Sequence, residues 1–395
     1  MAEAVIVSGA RTPIGKAYRG AFNNLEAPSM TSHAINGALT RAGVDPAEVD
    51  DCIIGAALQQ GTQTANLGRQ AAMASGMPVS VAGMTVDRQC SSGLMSIATG
   101  AKQIAVDGFS IVVAGGCESI SLVQNQHMNA HRAMDPLAVK NAPAIHMPMI
   151  DTAEVVAKRY GIAREKQDEY AVESQARTAI AQEAGKFADE VIPVTVTKLV
   201  TNRETGEVSE EVVTLSNDEG NRPGTTLESL SGLKVVREGG TITAGNASQL
   251  SDGAAAVVLM DGKMAEKRNL EPLGIYRGMS VVGCEPDEMG IGPVFSVPKL
   301  LKSHNMSVED IDLWELNEAF AVQVAYCRDQ LGIPMDKLNV NGGSISIGHP
   351  FGMTGSRQVG HIVRELNNQD KQFGIVTMCV GGGMGATGLF ERYPS

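Results

Sequence analysis

One strand–helix order runs through this chain twice, and that repetition limits what it can fold into more than any other feature. Strand-like runs alternate with helical patterns, which predicts βαβ units around a mainly parallel sheet. The first half reads as a strand at 5–8, a helix near 30–41 and a strand at 52–55. A helix near 67–74, a strand near 81–86, a helix from about residue 92 and a strand at 111–114 follow. The order returns after residue 272, with strands at 273–282, 313–316, 340–347 and 374–378 and helices at 297–304, 319–331 and 355–366. Pro46-Ala47-Glu48-Val49-Asp50 and Val308-Glu309-Asp310-Ile311-Asp312 fill matching places before the second strand of each half. An internal duplication, packed as a pseudo-dimer of two α/β halves, accounts for this.

Residues 121–250 interrupt the pattern with a charged helical stretch at 153–187 and a hairpin of 194–200 with 208–215, which predicts an inserted loop domain. Segment 251–271 returns to the first half, with its last strand at 254–260. The expected division is therefore 1–120 plus 251–271, then 121–250, then 272–395, consistent with two or three domains for 395 residues. With 43 % hydrophobic residues but only 4 % aromatic, and 44 glycines, the core must be built from small and branched side chains that let helices and sheet approach closely. A net charge of −12 argues against a nucleic-acid binder, which normally shows a basic face. The six cysteines show neither Cys-x-x-Cys spacing nor a zinc-like cluster, so no metal is expected and a reducing, cytoplasmic setting is. No apolar run has the length of a membrane span.

Chemistry concentrates at the carboxyl ends of the expected strands, where ligands bind in open α/β sheets. Cys90, in Gln89-Cys90-Ser91-Ser92-Gly93-Leu94, opens an amphipathic helix. A thiol at a helix N-terminus and near a histidine can fall below its usual pKa of roughly 8.5 and become a thiolate. Against this stands the ordinary state of a free cysteine, buried and inert; the polar Ser91 and Ser92 favour the reactive reading. His349 lies between Gly348 and Pro350 at the equivalent junction of the second half. Cys379 and Asn317 follow two further strands of that half. Gly383-Met384-Gly385-Ala386-Thr387-Gly388 matches G-x-G-x-x-G, but the chain ends at Ser395, before a nucleotide fold could be completed. A tight turn into a final strand at 387–391 is expected there instead.

Taken in order, these segments resemble those of the thiolases. The Cys90 segment is similar to the family's nucleophile motif, and Asn317-Glu318-Ala319-Phe320 to its Asn-Glu-Ala-Phe motif. Asn341-Gly342-Gly343 through Gly348-His349-Pro350 resembles its His motif, and Cys379-Val380-Gly381-Gly382-Gly383 its second-Cys motif. Ala244-Gly245-Asn246-Ala247-Ser248 resembles its coenzyme A segment. The resemblance implies an α/β fold of two βαβαβαββ halves layered α-β-α-β-α, carrying the inserted loop domain. It also implies reversible thiolysis of 3-ketoacyl-CoA, or condensation of acyl-CoA with acetyl-CoA, through an acyl-Cys90 intermediate. His349 would help ionise Cys90, and Cys379 would move the α-proton. Asn317, through a water, and His349 would form one oxyanion hole; the backbone N–H groups of Cys90 and Gly381 would form the other. Ser248, Ala244 and Arg222 match coenzyme A contacts, and Met149, Ala319 and Phe320 match substrate contacts. Coenzyme A and acetyl-CoA would enter as substrates, with no tightly bound cofactor, and the protein would assemble as a homodimer or homotetramer.

Asp87, Met95 and Cys117 depart from the commonest family residues, and none removes a reacting group. Pro148 stands where short-chain biosynthetic members carry His, which points to a broader 3-ketoacyl-CoA substrate rather than acetoacetyl-CoA alone. Two rival readings are a ketoacyl synthase-like condensing enzyme, which Cys379 disfavours, and a non-catalytic coenzyme A- or lipid-binding relative.

Overall fold

Strand Ala4–Arg11 is buried along its whole length, and its alternating side chains enter two different cores. Val5 and Val7 pack outward among the residues of helix Ala27–Ala42, while Ala4 and Ile6 pack inward with Leu94, Ile97 and Val359. Strands Ile111–Ser119 and Ser251–Asp261 divide their side chains in the same way. Covering both faces is what continuous apolar strand runs require. The chain is described here from a computed structural model, over residues 2–394.

The strands form one ten-stranded sheet. Its order is Leu313–Leu316, Phe373–Val380, Met384–Glu391, Gly274–Gly283, Ala4–Arg11, Ser251–Asp261, Ile111–Ser119, Asp51–Gly55 and Ala82–Val86, with the short Gly15–Lys16 beside Ser251–Asp261. Within the sheet the two halves are joined at two residue pairs, Val5 with Ile275 and Ile6 with Gly274. Helices Ser92–Lys102 and Phe351–Asn368 pack on each other between the half-sheets. Helices Ala27–Ala42 and Leu67–Ala74 cover the outside of the first half, and Gly292–Ser303 and Ala321–Leu331 the outside of the second. The result is the expected five layers. Small residues permit the tight middle: a Cβ on Gly93 would stand 2.5 Å from the Gly352 carbonyl oxygen.

Two expectations need correction. The sheet is mixed, not mainly parallel. Asp51–Gly55 runs parallel to both Ala82–Val86 and Ile111–Ser119, and Leu313–Leu316 to Phe373–Val380, but the central pairings are antiparallel. Connection length explains part of this. Strands Phe373–Val380 and Met384–Glu391 are joined by Gly381-Gly382-Gly383, with Gly382 and Gly383 both at φ 85°, and so short a turn can only reverse the chain. Nor is 340–347 a strand. It forms a turn and the short helix Ser344–Ile347, leaving a single bridge from Leu338 to Trp314. Its backbone is captured by the buried Glu318, whose Oε2 accepts the Ile345 N–H at 3.0 Å.

The inserted segment contains helices Met149–Tyr160 and Arg164–Glu183 and the hairpin Val194–Thr201 with Val208–Leu215. A buried ionic knot ties its end to the core. Arg11 donates from Nη1 to Asp218 Oδ1 at 2.7 Å and from Nε to Glu190 Oε2 at 3.3 Å, and His361 Nδ1 lies 2.5 Å from Glu190 Oε1. Burial opposes ionisation of Glu190, but His361 and Arg11 outweigh it and hold the carboxyl down at about 2. Among the described residues no helix is long and apolar enough to cross a membrane.

Candidate active site

Cys90 sits in a one-turn helix, Gln89–Ser91, between strand Ala82–Val86 and helix Ser92–Lys102. Gln89 has φ 44°, a left-handed backbone that costs a non-glycine residue about 1 kcal/mol or more. Side chains on both flanks hold it there. The Gln89 N–H donates to Asp87 Oδ1 at 2.6 Å, and the Ser92 hydroxyl donates to the Gln89 carbonyl at 2.7 Å while accepting the Arg88 N–H at 2.9 Å. The turn touches both helix Phe351–Asn368 and the second-cysteine strand Phe373–Val380.

The elements therefore bring together the residues the sequence singled out. Cys379 is the penultimate residue of its strand rather than a residue beyond it, and it is fully buried. It shares an apolar cluster with Ala319, Phe320, Val156, Ile242 and Met289, against which Met149 packs. Met149 Sδ lies 3.7 Å from where a Gly381 Cβ would stand, so this side chain overhangs the second-cysteine turn. The backbone N–H groups of Gly381 and of Cys90 itself favour the ionised form of the Cys90 sulfur.

Electrostatics here differ from the expected thiolate. Burial raises the Cys90 thiol to about 12, more than the Gly381 N–H can lower it, and Glu118 and Asp87 push it further up. Burial likewise lifts Cys379 well above the usual thiol value, with Cys90 as its next largest cause. Burial and then Arg357 depress His349 to about 3. In the free protein all three groups are thus neutral across ordinary pH, because desolvation of the charged forms exceeds what the helix N-terminus and the neighbours return.

His349 is 2 % exposed. Asn317 Nδ2 lies 3.2 Å from its Nε2, and Thr354 Oγ1 lies 2.6 Å from its Nδ1. The Ser344 hydroxyl donates to Asn317 Oδ1 at 2.6 Å. The coenzyme A-like segment is stitched between the Asn and His motifs. The Ser248 N–H donates to the Ala319 carbonyl at 3.0 Å, the Ala321 N–H to the Asn246 carbonyl at 2.8 Å, and the His349 N–H to the Gln249 carbonyl at 3.1 Å. Gln249 Nε2 donates to the Gly220 carbonyl at 3.2 Å, which brings the 220–222 loop alongside. Ala244 and Arg222 are exposed and Ser248 is half-buried, so this strip can meet a ligand from solvent.

Several supports escaped the sequence reading. Glu118 accepts from the N–H groups of Ala57, Leu58 and Gly352 and from Gln63 Nε2, so a first-half carboxylate caps the helix that follows His349. Glu318 accepts from Tyr170, Ser174, Asn339 and the Ile345 N–H. Ser344 touches Asn317 and Thr354 touches His349. Glu318 lies inside the Asn317-Glu318-Ala319-Phe320 motif without having been given a role, and Glu118, Ser344 and Thr354 carried no signal beyond their nearness in sequence to residues already singled out.

Comparison with known proteins agrees with this geometry. The thiolase N-terminal domain matches residues 4–263 and the thiolase C-terminal domain residues 270–392. The chain is 45 % identical to the 3-ketoacyl-CoA thiolase of Bacillus subtilis over 99 % of its own length and 100 % of that protein. It is 43 % identical to the peroxisomal 3-ketoacyl-CoA thiolase 2 of Arabidopsis thaliana over 99 % of its length and 84 % of that protein. Its structure superimposes on the acetyl-CoA acetyltransferase of Bacillus anthracis with a TM-score of 0.89 and 38 % identity, covering 100 % of this chain and 99 % of that one. With both halves matched and the layers in place, this chain belongs to the thiolase family.

Proposed function

We propose that the chain is an acetyl-CoA C-acyltransferase that reversibly cleaves 3-ketoacyl-CoA with coenzyme A. The observation that carries this is the Cys90 turn packed against the strand that bears Cys379, with the N–H groups of Cys90 and Gly381 favouring charge on the Cys90 sulfur. In thiolysis the Cys90 sulfur attacks the 3-keto carbon, its proton passing to His349. The bond between C2 and C3 then breaks. Cys379 protonates the released C2, giving acetyl-CoA, and the acyl group stays on Cys90. Coenzyme A attacks that thioester, and the protons return to the two cysteines as acyl-CoA leaves. The developing oxyanion on the acyl group falls to the Cys90 and Gly381 N–H groups, and the enolate oxygen to His349 with Asn317. Ser248, Ala244 and Arg222 border the coenzyme A path, and Met149, Ala319 and Phe320 the acyl group.

We place the division at 1–120 with 251–271, 121–250 and 272–395, supported by strand Ser251–Asp261 lying between two strands of the first half. The exposed edge of strand Ala82–Val86, four residues before Cys90, supports pairing with a second copy and hence a homodimer or homotetramer. The six free cysteines fit a reducing cytoplasm, and no resident cofactor enters the chemistry. Substrates longer than acetoacetyl-CoA fit Pro148 and the apolar wall around Met149; the resemblance to an acetyltransferase structure favours acetoacetyl-CoA alone as the second reading.

The test is intact-mass and peptide analysis after incubation with acetyl-CoA, together with thiolysis rates across 3-ketoacyl-CoA chain lengths. An acetyl group on Cys90 and turnover of several lengths are expected. An unmodified Cys90 and no turnover would leave the non-catalytic reading. A pH profile adds a second check. With His349 held down to about 3 and Cys90 up at about 12, the base stays unprotonated and the thiol protonated between those limits. We expect kcat/KM to show no inflection at the ordinary imidazole value of roughly 6.5. An inflection there that His349→Asn abolishes would refute the neutral pair.

A further inference from the structure

Ser344, Asn317, His349 and Thr354 form one hydrogen-bonded chain of side chains that has a direction. The Thr354 hydroxyl donates to the Pro350 carbonyl one helical turn back, at 3.0 Å. Having a single hydrogen, it can then only accept at its 2.6 Å contact with His349 Nδ1, so Nδ1 carries the ring hydrogen. Nε2 is left with a free lone pair, which faces Asn317 Nδ2 at 3.2 Å, a group that can only donate. The amide is held that way round because Ser344 donates to Asn317 Oδ1 at 2.6 Å. Turning the amide over would move the ring hydrogen to Nε2 and draw the Thr354 hydroxyl towards Nδ1, and the Pro350 carbonyl would lose its Thr354 bond. The observed direction therefore makes one hydrogen bond more.

We propose that Thr354 and Ser344 are positioning residues that hold His349 in the tautomer with its hydrogen on Nδ1 and its Nε2 lone pair facing the site. This rests on the acyltransferase reading and adds an order of events to it. In this tautomer Nε2 has no hydrogen to give an oxyanion. It gains one only by taking the Cys90 thiol proton, which leaves an imidazolium with Nδ1–H on Thr354 and Nε2–H directed into the site. The proton that frees the nucleophile is then the one His349 offers next. The Asn317 contact is the longest in the chain, so it is the one that yields when the thiol hydrogen arrives.

The experiment compares Thr354→Val, which keeps the shape and removes the hydroxyl, with Thr354→Ser, which keeps the hydroxyl. Both are assayed by thiolysis of acetoacetyl-CoA, after thermal melting to verify folding. Thr354→Val is expected to lose roughly 10–100-fold in kcat with KM little changed, as when a histidine loses its orienting partner, and Thr354→Ser to recover most of that rate. Wild-type kcat in Thr354→Val, or equal losses in Val and Ser, would overturn the assignment. Should Thr354→Val fail to fold, Ser344→Ala decides: a fall in kcat at unchanged KM supports the proposal, and an unchanged kcat overturns it. A wild-type protein without thiolysis would instead count against the acyltransferase reading.

Discussion

Replacing Cys379 by alanine is expected to lower both condensation and thiolysis by roughly 10²–10⁴, the usual worth of a positioned acid–base group. Cys90 should still take an acetyl group from acetyl-CoA. The two cysteines then separate into distinct roles: one sulfur makes and breaks the acyl bond, and the other only moves the α-proton. Because Cys379 is fully buried in an apolar cluster, removing its sulfur atom also leaves a small cavity, costing about 1 kcal/mol. That is too little to unfold the chain, so a thermal melt near the wild type should accompany the lost turnover. Full condensing and thiolytic rates in Cys379→Ala would end the assignment. Loss of Cys90 acetylation in a well-folded variant would show that Cys379 acts earlier than proposed.

Gly116→Ala is expected to be the most damaging single methyl group in the middle of the molecule. Gly116 lies inside strand Ile111–Ser119, between Gly55 and Ala255 on the neighbouring strands. A Cβ there would overlap the Gly352 carbonyl oxygen, a backbone atom that no rotamer change can move. The only relief is to push the start of helix Phe351–Asn368 off the sheet. That start also carries the Gly352 N–H bond to Glu118 Oε2, 2.8 Å long, and lies three residues after His349. We expect a loss of about 1–3 kcal/mol or more in stability, and activity reduced further than stability alone accounts for. Thermal denaturation beside steady-state rates checks this. A variant with wild-type melting and turnover would show that the layers are not held at contact distance here.

Much of the architecture was legible because local and global signals agreed. The edge strand Leu313–Leu316 and the helix Leu67–Ala74 were expected at the bounds they have; the helix is bracketed by the Asn66 cap and by Gly76 at φ 80°. The stretch 340–347 misled because Ile345-Ser346-Ile347 alternates apolar and small polar residues, as a strand would. The competing influence, the Glu318 carboxylate from another motif, is invisible in a window of eight residues. Sheet direction was misjudged for a related reason. Strand patterns record burial on both faces, whereas direction depends on which neighbour the chain returns to, and Ser251–Asp261 returns after the whole insert.

At the site, the reacting residue types and their motif order came from the chain alone, because thiol, imidazole and amide chemistry is a property of the side chains. Their protonation did not. A helix N-terminus and a nearby histidine predicted an ionised Cys90, yet burial opposes it more strongly, and burial exists only once two halves close over one another. The direction of hydrogen bonding through Ser344, Asn317, His349 and Thr354 is likewise a tertiary fact, assembled from three elements. Sequence determined which atoms can react, since covalent structure carries that chemistry anywhere. Folding decided which of them hold protons, since that depends on the water excluded and the partners brought within reach.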